Sequence, residues 1–261
     1  MSGRAAAQAA GRGVMKYGSA FLAIGFALLL WQGIVTLTGL PKFILPGPRL
    51  VAESWWTNRA LIAEHTLITA MEVLIGLVIG TALGIASAIY LASSRVARLV
   101  IQPILVFTQA LPVFALAPIL TLWLGFGLGS KIAMAVLIIY FPVTSSFCDG
   151  LMRTPRGLLD LAQTMQAGHW RTLRLIRIPA ALPSLASGIR LAAVYAPIGA
   201  VIGEWVGASR GLGYLMLLAN GRAKTDLMFA ALLTLGVFAV LLHLAVHLAT
   251  RRLSGSSPDR A

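Results

Sequence analysis

Six long apolar runs separated by short polar gaps constrain this chain more than any other feature. They cover roughly residues 17–37, 66–91, 99–124, 131–147, 185–206 and 227–250. About 30 Å of hydrocarbon, crossed at about 1.5 Å per residue, takes about 20 apolar residues, and each run meets or approaches that length. Within lipid the backbone must satisfy its own hydrogen bonds, so runs of this kind read as helices. A soluble alternative fails on composition: 58% of residues are hydrophobic and 11% charged, with a mean hydropathy of +0.86. Soluble domains carry about 45–50% apolar and about 25% charged residues, and this chain lacks the polar surface to cover itself in water. The expectation is an all-α integral membrane protein of about six spanning helices, one domain over 17–250 between polar tails 1–16 and 251–261. The first run follows Arg4, Arg12 and Lys16, as a cleaved leader would. Its length, and the lack of a small-x-small cleavage site before Trp31-Gln32-Gly33, favour a retained anchor. The fourth run is short and holds Pro142.

The formal charge is +13. A nucleic-acid-binding face would gather its basic residues among aromatics, whereas here they sit in the gaps between apolar runs. Fourteen of the 21 Lys and Arg fall on one side of the implied topology and seven, Lys131 among them, on the other. Basic residues mark the cytoplasmic side, so both termini are expected inside. The outer loop 38–65 carries Pro41, Pro46, Pro48 and Trp55-Trp56, and reads as an extended segment followed by a short interfacial helix. The inner loop 150–183 is polar, basic and helical in pattern. Cys148 is the only cysteine, which excludes an internal disulfide and a cysteine metal cluster and leaves a small buried hydrophobe.

In the second run Gly76, Gly80 and Gly84, continued by Ala88, place a small residue on one helix face at every fourth position. Such a face admits another backbone at close range; the competing reading is the general glycine richness of membrane helices. The third run holds Pro103, Pro112 and Pro118. Proline removes backbone hydrogen bonds, which is tolerated where protein or a water-filled cavity satisfies the carbonyls. Pro112 and Pro118 are therefore candidates for a translocation path, with packing kinks as the alternative. Glu72 and Glu204 lie within about two turns of the outer ends of their spans. They are either functional acids, Glu204 as part of the path, or side chains that reach the interface. The stretch from Gly125 to Lys131 lacks the spacing of a phosphate-binding loop and reads as a turn. No hydrolase or metalloprotease motif is present. His243 and His247 stand at i, i+4 with no third ligand beside them, so neither metal nor cofactor is expected.

The inner loop carries the most specific signal. Asp160-Leu-Ala-Gln-Thr-Met-Gln166, then Gly168-His-Trp-Arg171, then Ile176-Arg-Ile-Pro179 resembles the cytoplasmic signature of permeases of ATP-binding-cassette importers. That signature is Glu-Ala-Ala, three free positions, Gly, nine free positions, Ile, one free, Leu-Pro. Asp160 stands for the Glu, Ala162 for the second Ala, Gln166 for the Gly, Ile176 for the Ile, and Ile178-Pro179 for Leu-Pro. Gly168 is the alternative source of the turn that the missing glycine would make. Further stretches, from Pro112 to Lys131 and from Gly203 to Met216, resemble the nitrate/sulfonate/taurine permease group and, within it, permeases for pyrimidine precursors of thiamine. The resemblance implies a type I importer permease that works as a homodimer in lipid, with a cytosolic ATPase and an external solute-binding protein. Asp160, Ala162, Gln166, Gly168, Trp170, Ile176 and Pro179 would form the ATPase-coupling loop. The chain itself would not be an enzyme. The rival class is an ion-gradient-driven secondary transporter, which would want acids near the midplane and symmetric broken helices.

Overall fold

A computed structural model describes residues 22–254, all helices, turns and connecting segments with no strand among them. The helices are α1 (Leu22–Thr38), α2 (Pro48–Thr57), α3 (Arg59–Ser93), α4 (Arg95–Ala110), α5 (Val113–Leu124) and α6 (Leu128–Met152). They continue with α7 (Arg156–Thr164), α8 (His169–Thr172), α9 (Ile178–Gly207), α10 (Leu212–Gly221) and α11 (Thr225–Ser254). A π turn, Leu173–Arg177, joins α8 to α9. Residues 17–21 of the first expected span, the tail 1–16 and residues 255–261 lie outside the described set.

Four helical segments are long and apolar enough to cross a bilayer: α3, α6, the α8–α9 rod from His169 to Gly207, and α11. The α4–α5 pair makes a fifth if its two bent halves count as one span. The described residues form two compact units. One contains those up to Arg59 together with Leu218–Ala230. There Trp31 stacks on Phe229 with ring centroids 5.8 Å apart, and the Thr225 hydroxyl donates to the Lys42 carbonyl at 3.0 Å. Pro48 opens α2 at a position whose N–H has no helical partner to lose. Trp55 and Trp56 are exposed on α2, with the Arg59 guanidinium 4.9 Å from the Trp56 ring.

The other unit contains Ala60–Leu217 and the described part of Ala231–Ala261, and its centre is the trio α3, α6 and α9. A methyl built on Gly76 would stand 2.6 Å from Ala135 Cβ, one on Gly80 2.7 Å from Ile139 Cγ2, and one on Gly84 2.9 Å from Val143 Cβ. The steps of four on both helices make α3 and α6 a parallel pair meeting at van der Waals distance along a stripe of small residues. On its other side α6 meets α9 in the opposite sense: Gly203 lies against Lys131, Gly199 against Ala135, Gly188 against Ser146, and Gly150 against Ser184. Both faces of α6 are therefore occupied, and Ala135, Ile139, Val143 and Phe147 are buried. Only 17% of the apolar window of α11 is buried, against 56% for the α8–α9 rod, so α9 is a core helix while α11 turns most of its surface outward.

Three boundaries differ from the sequence reading. The third run is two helices meeting at 101°. Pro112 cannot donate to the helix before it, and it holds Leu111 extended at ψ 129°, the conformation favoured before proline. The fourth helix begins at Leu128, so Lys131 is a buried residue of α6, 5% exposed, and belongs to no outer loop. Pro179 and Pro183 lie inside the continuous α8–α9 rod and not in a loop. A short apolar helix, α10, also occupies the stretch between the last two runs.

Candidate functional site

The inner loop folds into two short helices joined by a tight turn. The end of α7 is closed by two bonds, Gln166 N–H to the Gln163 carbonyl and Ala167 N–H to the Ala162 carbonyl, both 2.9 Å. That pattern requires the residue after the cap to adopt a left-handed conformation, and Gln166 does so at φ +51°. The turn thus falls on Gln166, the position where the permease signature carries glycine. Gly168 is extended, φ −63° and ψ 161°, and caps α8 by accepting the Thr172 N–H at 3.0 Å. Buried Ala162 and Leu173 root the loop, and Ile176 is half-buried. Asp160, Gln166, Gly168 and Pro179 are exposed, and Trp170, 71% exposed, stands edge-on to His169 at 5.9 Å. Pro179 offers no N–H to the Leu175 carbonyl four residues back, and its ring crowds that oxygen. The wider π turn containing Leu175 is where this mismatch is absorbed.

A buried polar cluster fixes the start of α10. The Gly211 N–H donates to His65 Nδ1 at 2.9 Å, which leaves the ring proton on Nε2. The Leu212 N–H donates to the Thr69 hydroxyl at 2.8 Å, and the Gly213 N–H donates to Glu204 Oε2. Thr69 in turn donates to Glu204 Oε1 at 2.6 Å. Three successive backbone donors, left free by the helix start, are thus satisfied by side chains from α3 and α9, and a carboxylate sits at the positive end of the helix. Gly211 has φ +113°, and a Cβ there would run into the Glu204 carboxylate. Nearby, Lys131 Nζ lies 3.8 Å from Glu72 Oε1. Glu72 and Glu204 are 0% and 1% exposed, so the interfacial reading of these acids does not hold.

Sequence reasoning missed His65, Thr69 and Lys131, each an ordinary polar residue at a run's edge. The Gly211-Leu-Gly213 pair after an intramembrane acid was the available signal. His243 and His247 stand 6.4 Å apart, ring to ring, on α11. Among the described residues no group of three His, Cys, Asp or Glu side chains is placed to hold a metal ion. Pro112 caps α5 at the break, and Pro118 lies within that helix.

Four helical segments of membrane length, with a fifth pair bent by 101°, define a multi-pass helical membrane protein. Residues 76–255 match the family described as "Binding-protein-dependent transport system inner membrane component", and the chain belongs to it. It is 50% identical over 225 residues to a probable ABC transporter permease protein of Haemophilus influenzae, covering 86% of this chain and 92% of that one. It is 38% identical to the riboflavin transport system permease protein RibX of Chloroflexus aurantiacus, over 87% and 85% of the two chains. It is 36% identical to the formylaminopyrimidine transport permease protein ThiX of Halalkalibacterium halodurans, over 72% and 75%. Its fold is similar to that of the MetNI methionine ABC transporter in an inward-facing conformation, with a TM-score of 0.57 at 20% identity, covering 79% of this chain and 97% of that one. The chain is the permease subunit of an ABC importer, which sets aside the ion-gradient rival.

Proposed function

We propose that two copies of this chain enclose a path for a small nitrogen heterocycle, powered by a separate cytosolic ATPase and supplied by an external solute-binding protein. The observation that carries the coupling half of this reading is the exposed Trp170, presented beside the Gln166 turn on a loop rooted by buried Ala162 and Leu173. A large aromatic ring on a rigid protrusion suits a groove in a partner, where such anchors hold much of the interface energy. Arg171 and Arg174 flank it and would steer it toward an acidic rim. With both termini inside, this loop faces the cytosol and residues 38–58 face the binding protein. Closure of the ATPase pair on ATP would draw the two α7–α8 loops together. Through the α8–α9 rod that movement would reach α6 and α3, and so the α4–α5 break at Pro112. Pro112 and Pro118 then belong to the moving wall of the path, and Glu204 braces α10 behind it. The glycines at 76, 80 and 84 keep α3 and α6 moving as one body.

The heterocycle assignment rests on two relatives at 36–38% identity whose names give riboflavin and a formylaminopyrimidine as their solutes. A Trp170→Ala variant tests the coupling. Insertion into the membrane and docking of the binding protein should persist, while copurification of the ATPase and uptake are lost. Retained copurification with normal uptake would move the contact elsewhere in the loop.

A further inference from the structure

We propose that a polar stripe on α4, formed by Arg98, Gln102 and Gln109, lines the solute path, with the two glutamines supplying amide contacts to the solute. The solute class rests on the heterocycle reading above; the lining does not. At 100° per residue Arg98, Gln102 and Gln109 fall within about 40° of one another around the helix. The helix has three distinct faces. Ala97, Ile101 and Thr108 turn toward the bundle and are buried or half-buried. Val96, Val100, Ile104 and Phe107 form an apolar face, 55–70% exposed, that suits lipid. The third face holds the glutamines, both exposed, and Arg98, whose Nε is buried without a hydrogen-bond partner among the described residues. A primary amide in hydrocarbon has nothing to bond to, and its burial there without a hydrogen-bond partner is strongly unfavourable. Polar side chains on a spanning helix therefore face protein or a water-filled cavity.

Two further observations select the cavity. A groove of about 480 Å³ opens on this side, lined by Arg98, Leu99, Gln102, Pro103 and Val106. The stripe also climbs α4 and ends at Gln109, two residues before the 101° break at Leu111-Pro112, so it runs the length of the helix up to the point where the span bends. Each glutamine offers an N–H donor and a carbonyl acceptor side by side, the complement of the donor–acceptor edge of an aminopyrimidine or a flavin ring. Arg98 adds a planar set of donors for exocyclic oxygens.

The test uses Gln102→Cys, Gln109→Cys and, on the apolar face, Val100→Cys and Ile104→Cys, each in the full chain within membrane vesicles holding the assembled importer. Cys148 is buried, so unmutated protein supplies the background. A membrane-impermeant methanethiosulfonate reagent reads water access, because only a thiolate reacts. Cysteines at 102 and 109 should label at least about tenfold faster than those at 100 and 104, since thiols facing lipid neither ionise nor meet the reagent. Riboflavin or formylaminopyrimidine, presented with the binding protein, should slow labelling at 102, and completed labelling there should block uptake. Labelling at 102 no faster than at 104 would overturn the proposal. So would spontaneous disulfides between two copies at 102, which would make the stripe a contact between subunits. Fast labelling that taurine slows and heterocycles do not would leave the lining in place and refute the heterocycle reading.

Discussion

Substituting Gly76 by alanine puts a methyl carbon 2.6 Å from Ala135 Cβ, with the next neighbours, Ile139 Cδ1 and the Ala135 carbonyl carbon, at ordinary distances of 3.6 and 3.7 Å. Carbon atoms pack best at about 3.5–4.0 Å, so α3 and α6 must part by roughly 1 Å at this point. Ala135 cannot swing aside, because its Cβ is fixed to the backbone and its Cα faces Gly199 of α9. Overpacking of this kind costs about 1–3 kcal/mol. Ala135→Gly alone removes the opposing methyl and loses about 1 kcal/mol through helix propensity. The double variant moves one methyl from α6 to α3 with the total unchanged, and should lie within about 1 kcal/mol of the parent. The cycle should then give a coupling of about 2 kcal/mol in favour of the pair, within the span seen for residues in contact. Equilibrium unfolding of the purified permease in mixed micelles measures all four corners. Val78→Ala, at a site 70% exposed on the same helix, serves as the control, and its effect should stay within about 0.5 kcal/mol. The reasoning is refuted if Gly76→Ala is neutral, or if Ala135→Gly deepens its defect instead of relieving it.

Gln166 pays about 1 kcal/mol or more for a left-handed conformation that glycine adopts freely. Gln166→Gly should therefore slow amide exchange at Gln166 and Ala167 by about fivefold, the factor that 1 kcal/mol sets, whereas Gln166→Val should speed it. Glu204→Ala strips the acceptor from the Gly213 N–H and from the Thr69 hydroxyl. At about 1–3 kcal/mol per buried orphan, thermal stability should fall sharply and protease should cut near Gly211. Glu204→Gln keeps one acceptor oxygen and should lose roughly half as much.

The membrane class was legible because hydropathy sums over a whole run and needs no tertiary knowledge. Four of the expected spans therefore coincide with α3, α6, α9 and α11, and the Gly76–Gly80–Gly84 stripe could be read from spacing alone. Direction is a different quantity: residues 99–124 are apolar throughout, and nothing in their hydropathy distinguishes a straight rod from a 101° bend. Pro112 marked the place without giving the angle. Lys131 opens the fourth apolar run, where a charge reads as the water-facing end of a span. Its burial depends on Glu72, 59 positions earlier in sequence. The cap of α10 joins Thr69 to Glu204 across 135 residues, a distance over which local patterning carries no signal. The helical pattern of the inner loop was legible in its spacing, but the place of its turn was not. The family's glycine pointed to a left-handed residue, and the chain keeps that conformation with glutamine in the same position.

Uptake by proteoliposomes containing this permease, its ATPase and its solute-binding protein tests the central claim most directly. Labelled riboflavin or formylaminopyrimidine should enter only with ATP on the ATPase side and binding protein on the other, and uptake should survive collapse of proton and sodium gradients. Entry through the permease alone, driven by an ion gradient and indifferent to ATP, would contradict the account.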